Sequence, residues 1–415
     1  MSRTKSFCFV LALVVGSLSQ ESYGVTEDDF LGRWEMMIDD TGTTFNACWL
    51  EVNRDGGGLS GKLLWRWGSV TPLKWVRLVG DELQFNRPGR YKRRTVDVIY
   101  RAILRYDRLI GKVENPDGSV HHFWGRPAVE PVNVAGTWDL TIDIGDRELE
   151  RVLTLEQKKG KITGTYASEN QSAEIKNADL KGNRLTFTLL WNIESAGELN
   201  LAYDIEFRGD QVAGTVGLVD DSSFESLTAE VIGERRREWG EPIELFNGKD
   251  LNNWLPRDPR ATSRWYVENG VMVNTAPDID LYSRQVFDDF KLHVEFKMDK
   301  NSNSGIYLRG RYEVQLLDDY GKGTESHGNG SVYSRIAPTQ NASKPALEWQ
   351  TFDITLIGRW LTVVLNGVTI IDNQHLDGIT GGALDSFEAT PGPIMVQGDH
   401  GRVWFRKVTV TPALN

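Results

Sequence analysis

Short runs in which apolar and polar residues alternate are the feature that most constrains this chain. In the run at residues 291–298, every second residue is apolar and the residues between are charged or histidine. A period of two places successive side chains on opposite faces of an extended strand, which is typical of half-buried strands. Similar runs interrupted by Gly, Asn and Asp recur throughout, without an extended helical period that has capping residues. The sequence therefore predicts a mainly β fold.

The residues before about position 240 contain a diverged duplication marked by glycines. Gly32 and Gly136, each two residues before a tryptophan, are 104 residues apart. Further glycine pairs keep nearly the same spacing, namely Gly61 with Gly164, Gly80 with Gly182, and Gly111 with Gly214. We expect two β-repeat units, at residues 25–131 and 132–232, each a meander of antiparallel strands joined by tight turns.

The Gly-x-Trp opening and the turn-rich strands of each unit resemble calycin-type, lipocalin-like barrels. Closure removes the unpaired edges of an antiparallel sheet, so the two units either close separately or pair as halves of one larger barrel. The segment 233–242, which contains the run Glu-Arg-Arg-Arg-Glu, is predicted to be a charged linker. It leads to a third domain at residues 243–415.

The first residues have the three parts of an export signal. Arg3 and Lys5 precede an apolar run at 7–15, and small residues that suit signal peptidase follow up to Gly24. The apolar run is too short to span a bilayer as an anchor. We therefore expect residues 1–24 to be a signal peptide. The mature chain would be exported to the periplasm or the extracellular space, without a membrane span.

The charge and the cysteine content exclude some classes of protein. The formal net charge is −11, and no large basic block is present. A nucleic-acid partner would need clustered Lys and Arg to contact phosphates, so we expect none. Cys48 is the single cysteine after the expected signal peptide, which excludes an intramolecular disulfide. Stability must therefore come from packing.

A series of motifs follows in the third domain. They are ELFNGKDLNNW at 244–254, NSGIYLRG at 303–310, YEVQLLD at 312–318, GSVY at 330–333, EWQTFD at 348–353 and QGDHG at 397–401. In this order they resemble the 3-keto-disaccharide hydrolase family, whose members are also described as 3-keto-glycoside lyases or hydratases. The resemblance implies a jelly-roll sandwich of the concanavalin and laminin-G type, which agrees with the alternating strands.

Strand alternation assigns the polar side chains of these motifs to faces of the expected sheet. Tyr307 shares one side of its strand with Arg309, and Glu313 shares one side of the next strand with Gln315. Polar side chains that converge on an open sheet face suit a saccharide, although Arg309 and Glu313 could equally form only a surface ion pair. The candidate substrate-binding residues are Tyr307, Gln315, Asp318, Gln397 and Asp399.

The resemblance also implies a reaction. In a sugar that a separate dehydrogenase has oxidised at C3, the C2 proton is acidic because its loss gives an enolate. The C1 substituent can then be expelled, and water can add back. This chemistry needs a base, an electrophile for the enolate oxygen and a proton donor for the leaving group. The candidates are His400 or His327 for the base, Arg309 or a divalent cation for the electrophile, and Tyr333 or Glu313 for the donor.

A divalent metal is compatible with these residue types. His327, His400, Asp399, Glu313 and Asp318 could supply nitrogen and oxygen ligands, yet no tight metal-binding spacing such as His-x-His occurs. A Gly-rich phosphate loop and a dinucleotide fingerprint are also missing from the sequence. We therefore expect no nucleotide cofactor.

Two other functions are compatible with the same residues. A non-catalytic carbohydrate-binding or surface-adhesion protein would hold a glycan on the same face without turnover. An ordinary glycoside hydrolase would need two carboxylates, and Glu313 is followed on its face by Gln315 and Leu317. A saccharide is the expected partner in each case, with the repeat units as a binding or positioning module.

Overall fold

We describe the protein from a computed structural model. It describes residues 24–39, 47–92, 94–129, 132–158, 160–193, 197–219 and 228–414. Apart from a 3-10 helix at Glu27–Phe30, the elements in these ranges are β-strands, which confirms the mainly β fold. The expected signal peptide lies outside the described residues except for Gly24. No helix in the described ranges is long and apolar enough to cross a membrane.

The first repeat unit is a closed barrel. Its strands are β1 (Gly32–Asp39), β2 (Ala47–Asp55), β3 (Gly58–Trp65), β4 (Thr71–Pro72), β5 (Trp75–Val79), β6 (Glu82–Tyr91), β7 (Arg94–Arg105), β8 (Arg108–Glu114) and β9 (Val120–Pro127). The ring closes because β2 pairs with both β1 and β3, while β9 returns to pair with β1. Aromatic rings fill the interior, with the Trp65 ring centroid 4.9 Å from that of Tyr100 and 5.8 Å from that of Phe123.

The second repeat unit has the same strand order. Its strands are β10 (Gly136–Asp143), β11 (Glu148–Lys158), β12 (Lys161–Ala167), β13 (Ser172–Glu174), β14 (Lys176–Lys181), β15 (Arg184–Ile193), β16 (Gly197–Arg208), β17 (Gln211–Leu218) and β18 (Thr228–Arg235). Its last strand, β18, pairs with its first, β10, and the backbone N–H of Ile175 donates to the carbonyl of Gly164 at 3.0 Å. The two units therefore close separately, which the sequence left undecided.

Two of the four glycine pairs that mark the duplication share a physical cause. A Cβ at Gly61 or Gly164 would lie 2.3 or 2.2 Å from a carbonyl oxygen of the neighbouring strand. At Gly111 and Gly214 the corresponding distances are 2.4 and 2.1 Å. Any side chain at these positions would push the neighbouring strand away, so close backbone approach requires glycine there.

The third domain is a two-sheet sandwich. Its strands are β19 (Glu238–Trp239), β20 (Ile243–Glu244), β21 (Trp254–Pro256), β22 (Tyr266–Glu268), β23 (Val271–Val273), β24 (Leu281–Phe287), β25 (Phe290–Met298), β26 (Asn303–Leu308), β27 (Tyr312–Leu317), β28 (Gln350–Ile357), β29 (Trp360–Leu365), β30 (Val368–His375), β31 (Gly392–Val396) and β32 (Val403–Leu414). One sheet has the order β22-β23-β32-β25-β28-β29-β30, and the other has the order β21-β24-β31-β26-β27. Their apolar faces enclose one core, and β25 alternates between buried and more exposed residues as its sequence predicts. The sandwich-type fold class is thus confirmed.

Residues 233–242, which were predicted to be a charged linker, make specific contacts with both neighbouring domains. The first three of them complete β18 of the second barrel, and β19 pairs with β32 of the sandwich. Arg237 connects the two domains, because its guanidinium pairs with Asp210 of the barrel at 2.6 Å and with Asp289 of the sandwich at 3.2 Å. The basic run therefore joins two domains instead of separating them.

The first barrel packs against the sandwich through its strand β1. The hydroxyl of Ser386 donates to the carbonyl of Met36 at 2.8 Å. The backbone N–H of Glu388 donates to Oε1 of Glu35 at 3.0 Å, and Glu35 is completely buried. This interface brings the barrel next to the polar face of β26 and β27.

Candidate active site

Strands β26 and β27 carry a polar face that points away from the sandwich core. Tyr307 lies opposite Glu313 in the pairing register, and Gly305 lies opposite Gln315. These side chains occupy one side of the two strands, while Ile306 and its neighbours on the other side join the core. The alternation predicted for this face is therefore present.

Glu313 is the most strongly perturbed acid of this face. Its side chain is 4% exposed, and its Oε2 accepts a hydrogen bond from the Tyr307 hydroxyl at 3.0 Å. Burial raises the pKa of Glu313 to about 8, although the Tyr307 hydrogen bond and the nearby His400 lower it. Gly305 makes room for the carboxyl group, because a Cβ there would lie 2.4 Å from Oε1. Glu313 is therefore protonated at neutral pH.

His400 is exposed beside this buried acid. Its Nδ1 is 2.5 Å from Oδ1 of Asp399, and about half of each side chain is exposed. The hydrogen bond to Asp399 raises the pKa of His400 above its usual value, burial opposes this shift, and the charge of Asp280 adds to it. A buried protonated acid thus lies near a histidine that a carboxylate supports.

A buried ion pair lies behind the face. Arg257 Nη1 lies 2.9 Å from Oδ2 of Asp280, and both residues are at most 7% exposed. The other oxygen of Asp280 accepts a hydrogen bond from the backbone N–H of Gly398 at 2.9 Å, two residues before His400. Burial raises the pKa of Asp280, and the charge of Arg257 opposes this shift. The pair therefore supports the loop that carries Asp399 and His400.

The first barrel completes one wall of the site. The Tyr307 hydroxyl shares its single hydrogen between Glu313 and the carbonyl of Gly381, which lies 2.9 Å away. The backbone N–H of Gly382 donates to the carbonyl of Arg66 at 3.0 Å. A Cβ on Gly382 would lie 2.7 Å from the Tyr307 hydroxyl and 3.6 Å from the Trp67 ring. Trp67 is 50% exposed, and the Arg257 guanidinium lies 5.2 Å from its ring centroid. An aromatic ring from the barrel therefore flanks the acid of the sandwich.

His327 and Tyr333 lie at the boundary with the same barrel loop. The His327 ring is 4.7 Å from that of Tyr333, and its Nε2 is 2.9 Å from the hydroxyl of Ser69. The backbone N–H of Tyr333 donates to the carbonyl of Glu313 at 3.0 Å. Both residues thus border the site, and His327 is engaged with the barrel.

The two glutamines of the predicted face have unused hydrogen-bonding capacity. Gln315 is 2% exposed, and its Nε2 donates to Asn303 at 3.1 Å. The buried amide oxygens of Gln315 and Gln397 have no hydrogen-bond partner in the described part of the chain. Asp318 differs, because its Oδ2 accepts a hydrogen bond from the backbone N–H of Asn301 at 2.8 Å and so fixes a turn at the strand end.

Arg309 does not join the cluster. Its side chain is fully buried, and its guanidinium pairs with Asp289 at 3.0 Å and with Asp288 at 3.2 Å. The predicted electrophile is therefore a structural residue. Strand alternation failed here because Arg309 follows the last residue of β26 and has a φ of 51°, where the extended pattern has ended.

The described residues do not fit a metal centre. They contain no group of three or more His, Cys, Asp or Glu side chains that could hold a metal ion. Glu313 is instead hydrogen-bonded to the phenol of Tyr307, which engages one of its two oxygens. We therefore derive no chemical step from a metal.

Three residues of the site were not among the sequence candidates. Trp67, Arg257 and Asp280 come from segments that are distant in sequence from the motifs at 303–318. Trp67 carried a weak signal, because it lies in a Trp-rich stretch next to a glycine. The other two are common residue types without a distinctive spacing.

The comparisons with known proteins concern the sandwich. The family model of the 3-keto-alpha-glucoside-1,2-lyase-like domain matches residues 241–411. No curated protein is significantly similar to this chain.

Solved structures similar to this chain include two proteins of Parabacteroides distasonis ATCC 8503 that are provisionally named glycosyl hydrolases. The first is 28% identical over 42% of this chain and 89% of its own, with a TM-score of 0.37. The second is 24% identical over 42% of this chain and 100% of its own, with a TM-score of 0.34. From the family match, residues 241–411 form a domain of the 3-keto-alpha-glucoside-1,2-lyase-like family, which indicates a carbohydrate-active protein.

Proposed function

We propose that the sandwich domain cleaves 3-keto-glycosides by elimination. His400 takes the C2 proton, the C1–C2 double bond forms, and the bond from C1 to the leaving oxygen breaks. Glu313 gives its proton to that oxygen. Addition of water across C1 and C2 would then return a free 3-keto sugar, so that the net reaction is hydrolysis.

The observation that carries this proposal is the placement of Glu313 near His400, whose charge lowers the pKa of Glu313. Elimination needs a proton donor and a proton acceptor on one substrate at the same pH. Burial keeps Glu313 protonated until about pH 8, whereas His400 is exposed to solvent and its pKa is raised by the hydrogen bond to Asp399. Two titratable groups in such different environments are typical of acid and base roles.

Substrate recognition would use the remaining polar groups of the face. The unpaired amide oxygens of Gln315 and Gln397 are suited to accept hydrogen bonds from sugar hydroxyls. With Arg309 held elsewhere, Arg257 supplies the positive charge behind the site and would favour an enolate. The Trp67 ring offers an apolar surface for the sugar or its aglycone.

The reaction depends on an enzyme that supplies its substrate and on the compartment that holds both enzymes. A separate sugar 3-dehydrogenase would have to supply the keto substrate, because the sequence of this chain has no dinucleotide fingerprint. If residues 1–24 act as a signal peptide, the reaction takes place in the periplasm or outside the cell. Peptide sequencing of the mature amino terminus would test that location.

The direct test compares a 3-keto-glucoside that carries a chromogenic aglycone with its unoxidised parent. We expect aglycone release and a transient enone absorbance from the keto sugar alone. Release should fall by at least about a hundredfold in His400→Ala and in Glu313→Gln, the range usual for loss of an acid or base. A parallel assay with chelator tests for a metal.

The outcomes separate the alternatives. Release from both sugars would indicate an ordinary glycoside hydrolase. No release from either sugar, with saturable glycan binding that Glu313→Gln and His400→Ala retain, would identify a carbohydrate-binding protein. His293→Ala is a suitable control, because His293 pairs with Asp353 on β25 and β28 in the other sheet.

A further inference from the structure

We propose that the second barrel binds an aromatic anion in a cavity at its open end. The cavity has a volume of about 1040 Å³, near the upper end of the range for small-molecule sites. Its walls include Ile142, Tyr166, Trp191, Leu201 and Tyr203. This inference does not depend on the function proposed for the sandwich.

The cavity opens away from the sandwich. Leu201 and Leu218 line it, and they lie toward the ends of β16 and β17 that are remote from the turn joining these strands. At that turn, the side chain of Asn373 in the sandwich donates to the carbonyl of Arg208 at 3.1 Å and to Gln211 at 2.7 Å. A ligand can therefore enter without disturbing the contact between the domains.

The first barrel serves as an internal comparison. Gly61 of the first barrel corresponds to Gly164 of the second. Trp65 and Ser168 each lie four residues after these glycines, so they correspond to each other as well. In the first barrel the Trp65 ring packs edge-on against Tyr100, which corresponds to Tyr203. In the second barrel Ser168 lines the cavity instead. The space that an indole fills in one repeat is available to a ligand in the other.

The walls of the cavity favour a flat, apolar guest. The rings of Tyr166 and Trp191 meet edge-on at 4.9 Å, and the Tyr203 ring stacks on Phe187 at 4.8 Å. The Tyr203 hydroxyl donates to the Tyr166 hydroxyl at 2.6 Å, so one of the two phenolic hydrogens is already engaged within the wall. Aromatic rings thus form the buried wall of the cavity, whereas the polar lining residues Asn170 and Asn192 are exposed, which suits an aromatic molecule better than a sugar.

Arg151 gives the cavity a preference for negative charge. It corresponds to Cys48 of the first barrel, and its guanidinium lies 5.5 Å from the Trp191 ring centroid. Its Nε is buried and has no hydrogen-bond partner in the ranges that the structure describes. The acidic residues that line the cavity, Asp143 and Glu230, are exposed at the mouth. A carboxylate or sulfonate on the ligand would satisfy the buried N–H.

The test uses two fluorescent probes that differ in charge. The full chain is titrated with anilinonaphthalene sulfonate, an aromatic anion, and with phenylnaphthylamine, its neutral counterpart. We expect saturable one-to-one binding of the sulfonate. Arg151→Gln should weaken that binding by about tenfold and leave the neutral probe within about twofold, because a charge-assisted hydrogen bond is lost only with the anion. Equal effects on both probes would overturn the anion assignment.

Variants that fill the cavity test whether the probes bind inside it. Ser168→Trp restores the residue of the first barrel and should abolish saturable binding of both probes. Ser172→Trp, at an exposed position of β13 outside the lining, is the matched control and should bind normally. If Ser168→Trp does not fold by circular dichroism, Val216→Phe fills the cavity from another wall. Unchanged binding in a folded filled variant, or no saturable binding by the wild type, would overturn the proposal.

Discussion

The phenolic oxygen of Tyr307 lies 3.0 Å from Oε2 of Glu313, directly across the β26–β27 pair. This contact is enclosed, since Tyr307 is 1% exposed and Glu313 is 4% exposed. One hydrogen bond does not compensate for the loss of water around a carboxylate, so the folded protein keeps Glu313 protonated well above the pH at which a free carboxyl ionises.

The stability of the protein should therefore depend on Glu313. An unfolded glutamate releases its proton near pH 4.5, whereas the folded one retains it until about pH 8. The free energy of unfolding should fall as the pH rises through this window, by up to about 1.4 kcal/mol per pH unit. Urea unfolding of the wild type and Glu313→Gln at several pH values isolates this effect. Parallel pH dependences of the two proteins would contradict it.

The acid limb of the activity profile should report His400. A histidine acts as a base only when it is neutral, and the Asp399 hydrogen bond raises its pKa. In Asp399→Asn the pKa of His400 should fall, so the acid limb of kcat/KM should move to lower pH. Titration of the His400 ring by NMR should show the same direction in the absence of substrate. An acid limb that stays in place would assign it to another group.

Whether a residue of this site could be predicted from the sequence depends on its position relative to the end of its strand. Alternation holds within β26 and β27, so the common face of Tyr307, Glu313 and Gln315 could be predicted. Arg309 lies one residue beyond β26 with a positive φ, and the same rule placed it on the wrong side. Period-two patterns specify faces only as far as the ladder extends.

The residues that the first barrel contributes to the site could not be predicted either, and the reason is different. Strand patterns and glycine spacing are local, and they indicated two repeat units without stating which surface meets the sandwich. The contact depends on a close approach between Gly68 and Gly381, where a Cβ on Gly381 would lie 2.3 Å from the Gly68 carbonyl oxygen. Such complementarity between distant segments is a property of the packed structure.

Trp67 should contribute to substrate affinity. We expect Trp67→Ala to lower kcat/KM roughly three- to tenfold, mainly through KM, because aromatic contacts of this kind are worth about 0.5 to 1.5 kcal/mol. Trp75→Ala is the matched control, since Trp75 packs against Arg77 of the same barrel at 4.4 Å. Steady-state kinetics with the keto sugar provide the measurement. Equal losses in both variants would indicate a general effect on the barrel.

Glu35 should fix the first barrel to the sandwich. Its buried carboxylate accepts hydrogen bonds from Arg126 at 2.7 Å and from the backbone N–H of Glu388 at 3.0 Å. The equivalent residue of the second barrel, Asp139, pairs with Arg236, and both of those side chains are about half exposed.

Replacement of these two acids by alanine should therefore have unequal effects. Glu35→Ala removes the acceptor of Arg126 and leaves the Glu388 N–H with only the Ser386 carbonyl, at 3.0 Å, so it should lower the free energy of unfolding by about 1 to 3 kcal/mol. Asp139→Ala removes an exposed ion pair and should cost at most about 1 kcal/mol. Chemical denaturation followed by tryptophan fluorescence compares the two.

Because Glu388 also accepts a hydrogen bond from Tyr312 at 2.9 Å, loss of Glu35 should loosen β27 as well, which hydrogen exchange would detect. Similar small losses in both variants, with unchanged exchange in β27, would mean that Glu35 does not join the domains.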